Sequence, residues 1–457
     1  MGRTQRLRQR RAPKDTTHPA DHELDSLHVL YAHLNCLGWR NTTQLSALHF
    51  PQTGRGLCSK RHRLRPGDEL IRLPANCLIS IATLEADEQF KALFNKDLFD
   101  KDARISFQAL VACYLMYQQH LHETSQQSTL GAYLDTLPRS YTMPYFCAMS
   151  ELQCLPEALL ERTVGQNRQI REYYQIIKTL VGTQHCECCG QLYCQDIWTL
   201  PEYKRAYFAV NSRSVYLNPR QLKPARCHFQ SLLSGDTNMA LAPFLDLFNH
   251  SDSVQTTAEL SPNGKGQDYV LTLDTAAKSE LHPYEQLFIS YGALPNLKLL
   301  TDYGFYLERN AHDFFEFSLS DIEQLIAQNR KLAAQTYHRN IFKFIREHNL
   351  YDQMFVHIDD GCSHNLRVVL HLIFKQQAYF PNVLNQIAFG DVAQFDDVQP
   401  ELSYLVAHKI SEYQGFVKAL NQLPQLTESG VVARSYLLEC VRYLSDFESS
   451  VHCQSNE

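Results

Sequence analysis

The sequence predicts an α+β protein: a β-rich fold carrying a helical insertion, followed by an all-helical C-terminal domain. Three observations lead there. Short apolar runs bounded by Gly and Pro mark residues 53–80 and 241–292. Between them, residues 105–210 carry broad apolar faces at helical spacing. Beyond about Phe317 the helical period recurs to the end of the chain. The 457 residues therefore divide into a basic tail (1–24), a domain at 25–310 that includes the insertion at about 105–210, and a helical domain at 311–457.

Bulk properties narrow the classes. The chain is 44% hydrophobic and 20% charged, as a globular protein is. No run of 18 apolar residues offers a membrane span, and the N-terminus has no signal-type apolar stretch. A formal charge of −6 argues against a general nucleic-acid binder. Arg3, Arg6, Arg8, Arg10, Arg11 and Lys14 sit together at the start, and removing those six positive charges leaves −12 on the remainder. Nucleic-acid contact or nuclear import is thus expected only through this tail. The 14 cysteines are mostly scattered and read as reduced, in a nuclear and cytoplasmic protein.

Each element has its own justification. Leu24, Leu27, Leu30, Tyr31 and Leu34 lie on one helical face that Gly38 ends. Alternating apolar residues from Leu57 to Leu64 precede the turn Arg65-Pro-Gly67, and Glu69–Pro74 and Leu78–Ser80 read as strands. Helices are expected at Ile105–Leu121, Pro156–Leu180 and Trp198–Asn211, then a strand at Val215–Leu217. A hairpin should join Thr256–Leu260 to Tyr269–Leu273 through a turn at 262–266. Later helices are expected at 321–346, 365–379, 402–420 and 431–447.

Several stretches carry more polarity than a core needs. Leu241-Ala-Pro-Phe-Leu-Asp-Leu-Phe-Asn-His-Ser251 starts apolar and delivers Asp246, Asn249 and His250 in quick succession. Polar groups arriving from a buried run must bond one another or a ligand. Asp, Asn and His are also metal ligands, but no second histidine stands at a matching spacing. Gln286-Leu-Phe-Ile-Ser-Tyr-Gly292 is a short strand ending in Tyr291. Gly54-Arg-Gly56 suits a turn or close backbone approach, yet lacks the third glycine of a dinucleotide fingerprint and the Lys of a P-loop. No Gly-x-Ser-x-Gly elbow signals hydrolase chemistry. His185-Cys-Glu-Cys-Cys-Gly-Gln-Leu-Tyr-Cys194 admits two readings: a zinc site at Cys186, Cys188, Cys189 and Cys194, or a surface loop of reduced thiols.

Taken in order, five motifs resemble those of SET-domain methyltransferases, in the class related to the plant Rubisco large-subunit lysine methyltransferase and the actin-histidine methyltransferase. They are Thr-Gly-Arg-Gly-Leu (53–57), Asn-Ser-Arg-Ser-Val-Tyr (211–216), Asp-Leu-Phe-Asn-His-Ser (246–251), Gln-Leu-Phe-Ile-Ser-Tyr-Gly (286–292) and Asp-Tyr-Gly-Phe (302–305). The resemblance covers about 25–310 and implies a β-rich SET fold with the helical insertion, and a Rubisco-methyltransferase-type substrate-binding domain at 311–457. It implies S-adenosylmethionine as methyl donor, no metal in the chemistry, and a protein lysine as acceptor, with histone tails among the expected substrates. A histidine acceptor and an inactive SET-fold binding module are the alternatives. By motif, Gly54, Arg55, Gly56 and Leu57 would cradle the methionine end, and Arg213 would pair with its carboxylate. Asn249 and His250 would hold the adenosine, braced by Asp246. Tyr291 would be catalytic at the methyl-transfer pore, and Tyr303 and Phe305 would shape the acceptor channel and pack on the cofactor.

Overall fold

Helix α1 (Pro19–Cys36) opens the fold, starting at Pro19 rather than Leu24 because proline, with its fixed φ, suits the first helical turn. The computed structural model describes residues 19–60, 63–99, 104–218 (except 125 and 127), 220–221, 227–274 (except 265), 281–328, 339–375, 380–390 and 398–454. The basic cluster at residues 3–14 lies outside them. The described residues fall in two compact units, one within Met1–Ser140 and Asn167–Tyr291, the other within Tyr141–Gln166 and Gly292–Glu457. Among them no helix is long and apolar enough to cross a membrane.

The first unit is built on small sheets. Strand β1 (Leu45–Phe50) pairs antiparallel with β2 (Gly54–Ser59) through a hairpin in which Phe50 faces Gly54. Gly54 has φ +71°, a left-handed conformation that only glycine adopts at little cost. The alternation of β1 is weak because it is an edge strand buried mainly at Leu45, so the sequence did not reveal it. Strand β3 (Glu69–Pro74) has the bounds its pattern indicates. The insertion follows, with α2 (Phe107–Glu123), α3 (Glu157–Val181), which belongs to this unit from Asn167 onward, and α4 (Leu200–Arg213). Ser106 caps α2 by accepting from the Ala109 N–H at 3.2 Å, and Thr199 caps α4 ahead of Pro201.

After α4, β4 (Ser214–Tyr216) pairs with β5 (Met239–Leu241), and Leu241 also bridges Ile79. The expected strand at Leu78–Ser80 is therefore a single bridge. β6 (Asn249–His250), the hairpin β7 (Thr256–Asn263) and β8 (Gly266–Leu273), and β9 (Gln286–Ile289) complete the unit. The sheets run in the orders β1-β2-β9-β6 and β3-β8-β7.

The second unit is mainly helical. Its helices are α5 (Leu319–Gln328), α6 (Arg339–Glu347), α7 (His364–Phe374), α8 (Pro381–Phe389), α9 (Gln399–Asn421) and α10 (Glu428–Gln454). Leu366, Val369, Leu405, Leu437 and Leu444 form the centre of its core. A ribbon of β10 (Phe315–Glu316), β11 (Phe355–His357) and β12 (Gly361–Cys362) adds a minor sheet to the helices.

One strained residue prepares the site. Phe244 is buried at φ +73° and ψ −40°, near the γ-turn geometry that costs a bulky residue about 1–3 kcal/mol. Packing over-determines it: its ring lies 4.8 Å from Trp39 and 6.5 Å from Tyr31 of α1. The chain then reverses, and the Asp246 N–H donates to the Ala242 carbonyl at 3.0 Å. Trp39→Ala should lower unfolding stability by about 3–5 kcal/mol in denaturant titration. Trp39→Phe, which keeps one aromatic ring and removes a buried indole N–H that has no partner among the described residues, should cost less than Trp39→Ala.

Candidate active site

Three strands bring Gly54–Leu57, Asn249 and His250 together, with Tyr291 two residues beyond the last of them. β9 pairs antiparallel with β2, Leu57 opposite Leu287, and parallel with β6, Asn249 opposite Phe288 and His250 opposite Ile289. The β2–β9 ladder covers only Leu57 and Cys58, and the Asn249 amide donates to the Arg55 carbonyl at 3.0 Å. Gly56 lies directly under this crossing. A Cβ there would sit 2.5 Å from Gln286 Nε2 and 3.0 Å from Asn249 Nδ2, so any larger residue would push these side-chain amides aside. Gln286 is held from the other end, where its Oε1 accepts from Thr53 Oγ1 at 2.7 Å.

His250 and Tyr291 form the second part. The imidazole is buried and stacks on the Tyr291 ring, centroids 5.0 Å apart and planes 20° from parallel. The Tyr291 N–H donates to His250 Nδ1 at 3.1 Å, and the same nitrogen lies 3.3 Å from the Ile289 carbonyl. The Tyr291 hydroxyl donates to the Phe248 carbonyl at 2.6 Å. Its proton is thereby committed to the backbone.

Arg213 and Asp246 form the third part. Arg213 Nη1 donates to Asp246 Oδ2 at 3.1 Å and to the Asp246 carbonyl at 3.2 Å. Tyr133 Oη donates to the same Oδ2 at 2.8 Å. The Asp246 side chain is 1% exposed and Arg213 15%, so this is a buried pair whose worth depends on remaining complete. The resemblance assigns Arg213 to a cofactor carboxylate; the structure gives it an internal carboxylate as well. Arg55 points away from the crossing, donating to the Thr136 carbonyl at 2.8 Å.

Tyr303 and Phe305 lie in the second unit, their ring centroids 6.2 Å apart. Burial pushes the Tyr303 phenol above its ordinary pKa, with Asp302 adding to the effect. Gly304 between them has φ +84°, and a Cβ there would meet Thr142 Oγ1 at 2.6 Å. Tyr133 and Gln286 are site residues that sequence reasoning missed. Gln286 lies inside a motif quoted for its tyrosine, whereas nothing near Tyr133 in the sequence points to Asp246. A cavity of about 880 Å³, lined by Leu30, Leu34, Ile79, Tyr114, Tyr133 and Pro243 among others, flanks Tyr133. None of the predicted site residues lines it.

The cysteine cluster is separate from this site, and its membership differs from the sequence-based set. Cys186, Cys188 and Cys189 converge on His120 of α2, whereas Cys194 is buried outside the group. Burial opposes ionisation of Cys186, but its contacts with Cys188 and His120 outweigh that and bring the thiol down to about 6. Burial pushes the Cys194 thiol up to about 11, with Lys178 only partly opposing.

Comparison with known proteins fits this geometry. No family model matches the chain. Its fold is that of a SET domain: it superposes on the SET domain of LSMT bound to lysine and AdoHcy with a TM-score of 0.60, 15% identity, and coverage of 95% of this chain and 92% of the other. Over most of its length it is similar to SET domain-containing protein 4 of Mus musculus, at 28% identity over 86% of this chain and 83% of that protein. It also resembles ribosomal lysine N-methyltransferase 2 of Saccharomyces cerevisiae, 24% identical over 60% and 62% of the two chains. Actin-histidine N-methyltransferase of Rattus norvegicus is 21% identical over 63% of this chain and 44% of that protein.

Substitutions at two positions test the site's construction. Asp246→Ala should cost about 3–5 kcal/mol by removing the carboxylate from the Arg213 guanidinium, and Asp246→Asn, which keeps an acceptor for Tyr133, should cost less. Gly56→Ala must displace Asn249 or Gln286 and should cost about 1–3 kcal/mol. Denaturant midpoints at constant slope would check both.

Proposed function

We propose that this chain is a protein-lysine N-methyltransferase using S-adenosylmethionine. The observation that carries the reading is Tyr291: stacked on His250 and with its hydroxyl proton held by the Phe248 carbonyl, it presents an oriented acceptor oxygen at the β2–β9–β6 junction. The cofactor supplies an electrophilic methyl group on a sulfonium. The residues present fit its zwitterionic amino-acid end. Beside the junction, Gln286 Nε2 and Asp246 Oδ1 are a buried donor and a buried acceptor with no partner among the described residues. Gly54–Leu57 and Arg213 would hold that end, with Asn249 and His250 on the adenosine.

The acceptor must be a neutral amine in line with the methyl group, mainly an orientation task. With a pKa of ~10.4, a free lysine is neutral in about one molecule in 10³ near pH 7. A buried channel and an adjacent positive charge both disfavour the ammonium. Tyr291 accepts a hydrogen bond from the incoming amine and fixes its lone pair; a phenol with an ordinary pKa of ~10 is not a strong base near neutrality. A basic, disordered protein tail, such as a histone tail, is the proposed substrate class, attracted by the net negative charge of the body of the chain.

Calorimetry of the full chain with S-adenosylmethionine should show one-to-one binding. Mass spectrometry of protein substrates should then locate the added methyl groups on lysine. Absence of binding by folded protein would leave a SET-fold binding module as the reading. Methyl groups on histidine would favour the second reading, which rests on the likeness to the actin-histidine enzyme. Tyr291→Phe should reduce turnover about 10²-fold or more while leaving cofactor affinity within a few-fold; near-normal turnover would remove the hydroxyl from the mechanism.

A further inference from the structure

Four soft or borderline ligands meet in the insertion, away from the proposed active site. His120 stands in the last turn of α2, and its Nε2 is 3.2 Å from Cys186 Sγ, 3.8 Å from Cys188 Sγ and 3.7 Å from Cys189 Sγ. Cys186 and Cys188 Sγ are 2.8 Å apart, and all four ligand atoms lie within 4.8 Å of one another. A tetrahedral zinc with bonds of ~2.3 Å to sulfur and ~2.0 Å to nitrogen separates its ligand atoms by about 3.5–3.8 Å. The observed spacings bracket that range.

The backbone is shaped for the same end. The Cys186 N–H donates to the Gln191 carbonyl and the Gly190 N–H to the Cys186 carbonyl, both at 2.8 Å. Gly190 adopts φ +73°, which turns the chain back after Cys189. The His185–Leu192 bridge closes this tight knuckle. His120 and Cys186 are buried, while Cys188 and Cys189 are exposed, so the group faces solvent on one side and α2 on the other. A disulfide between two of these sulfurs would leave the third sulfur and the imidazole without a role.

We propose that His120, Cys186, Cys188 and Cys189 form a structural Cys₃His zinc site. Four protein ligands close the coordination sphere, so the ion takes no part in methyl transfer. It clips the knuckle to α2. The next residues run through the Tyr193–Ile197 turn and the buried Trp198 into α4, whose last residue is Arg213. The metal thus fixes the start of the helix that delivers Arg213 to Asp246. The sequence supplied the three cysteines but not the fourth ligand, because His120 stands far from them in the chain.

The test uses the full chain purified with zinc present and then desalted. Elemental analysis should find about one zinc per chain. Replacing it with cobalt(II) should give thiolate charge-transfer bands and the intense visible bands of a tetrahedral site. Cys188→Ser and Cys189→Ser alter exposed thiols; with folding checked by circular dichroism, each should weaken zinc at least about 10-fold in competition with a chelator dye. Cys194→Ser and the exposed-site control Cys36→Ser should retain the metal. Absence of stoichiometric zinc, an octahedral cobalt spectrum, or unchanged affinity in both Cys188→Ser and Cys189→Ser would overturn the proposal. Loss of zinc in Cys194→Ser as well as in those two would overturn the assignment of His120 and return the ligand set to the one the spacing alone suggests.

Discussion

The hydrogen bond from the Asn249 amide to the Arg55 carbonyl, made across Gly56, is the constraint on which the first unit's site depends. It forms only because β9 pairs with β2 on one side and β6 on the other, bringing segments nearly 200 residues apart in sequence into one sheet. A one-residue slip of β9 would turn Leu287 and Ile289 outward and move Tyr291 off His250. The register is held by burial of Leu57, Leu287 and Ile289 and by the parallel pairing of Asn249 and His250. Gly56 is the steric price of bringing two amides across a strand.

The buried Arg213–Asp246 pair works differently. It contributes little net stability as a pair, since desolvation offsets attraction. Its effect is positional: Asp246 accepts from Arg213 and Tyr133 at one oxygen, tying α4 and the segment near Tyr133 to the polar run before β6. The strained Phe244 turn presents Asp246 at the correct place, and the Tyr31 ring of α1 and the Trp39 ring just after it hold that turn. Stability from an aromatic cluster is thus spent on the geometry of a polar one. The cysteine knuckle enters the same chain of supports at the start of α4.

His250 and Tyr291 show how packing and backbone bonds orient a site. The His250 ring, which accepts from the Tyr291 N–H at Nδ1, offers a flat face to the phenol. The phenol proton is given to a backbone carbonyl. The result is an oriented oxygen acceptor.

Local patterns were enough for most elements of the chain. The bounds of β3, the β7–β8 hairpin and the insertion helices follow from periodicity and punctuation, because such signals depend on neighbours a few residues away. The polar ending of Leu241–Ser251 was legible as a site for the same reason: a buried run cannot deliver Asp246, Asn249 and His250 without partners. What those partners are was not legible. The edge strand β1, the single bridge at Ile79, the bond from Tyr133 to Asp246, the crowding over Gly56 and the fourth member of the cysteine cluster, His120, all join residues distant in sequence. Only tertiary structure decides such pairs, since strand order and helix packing set which distant side chains meet, and no local period carries that information.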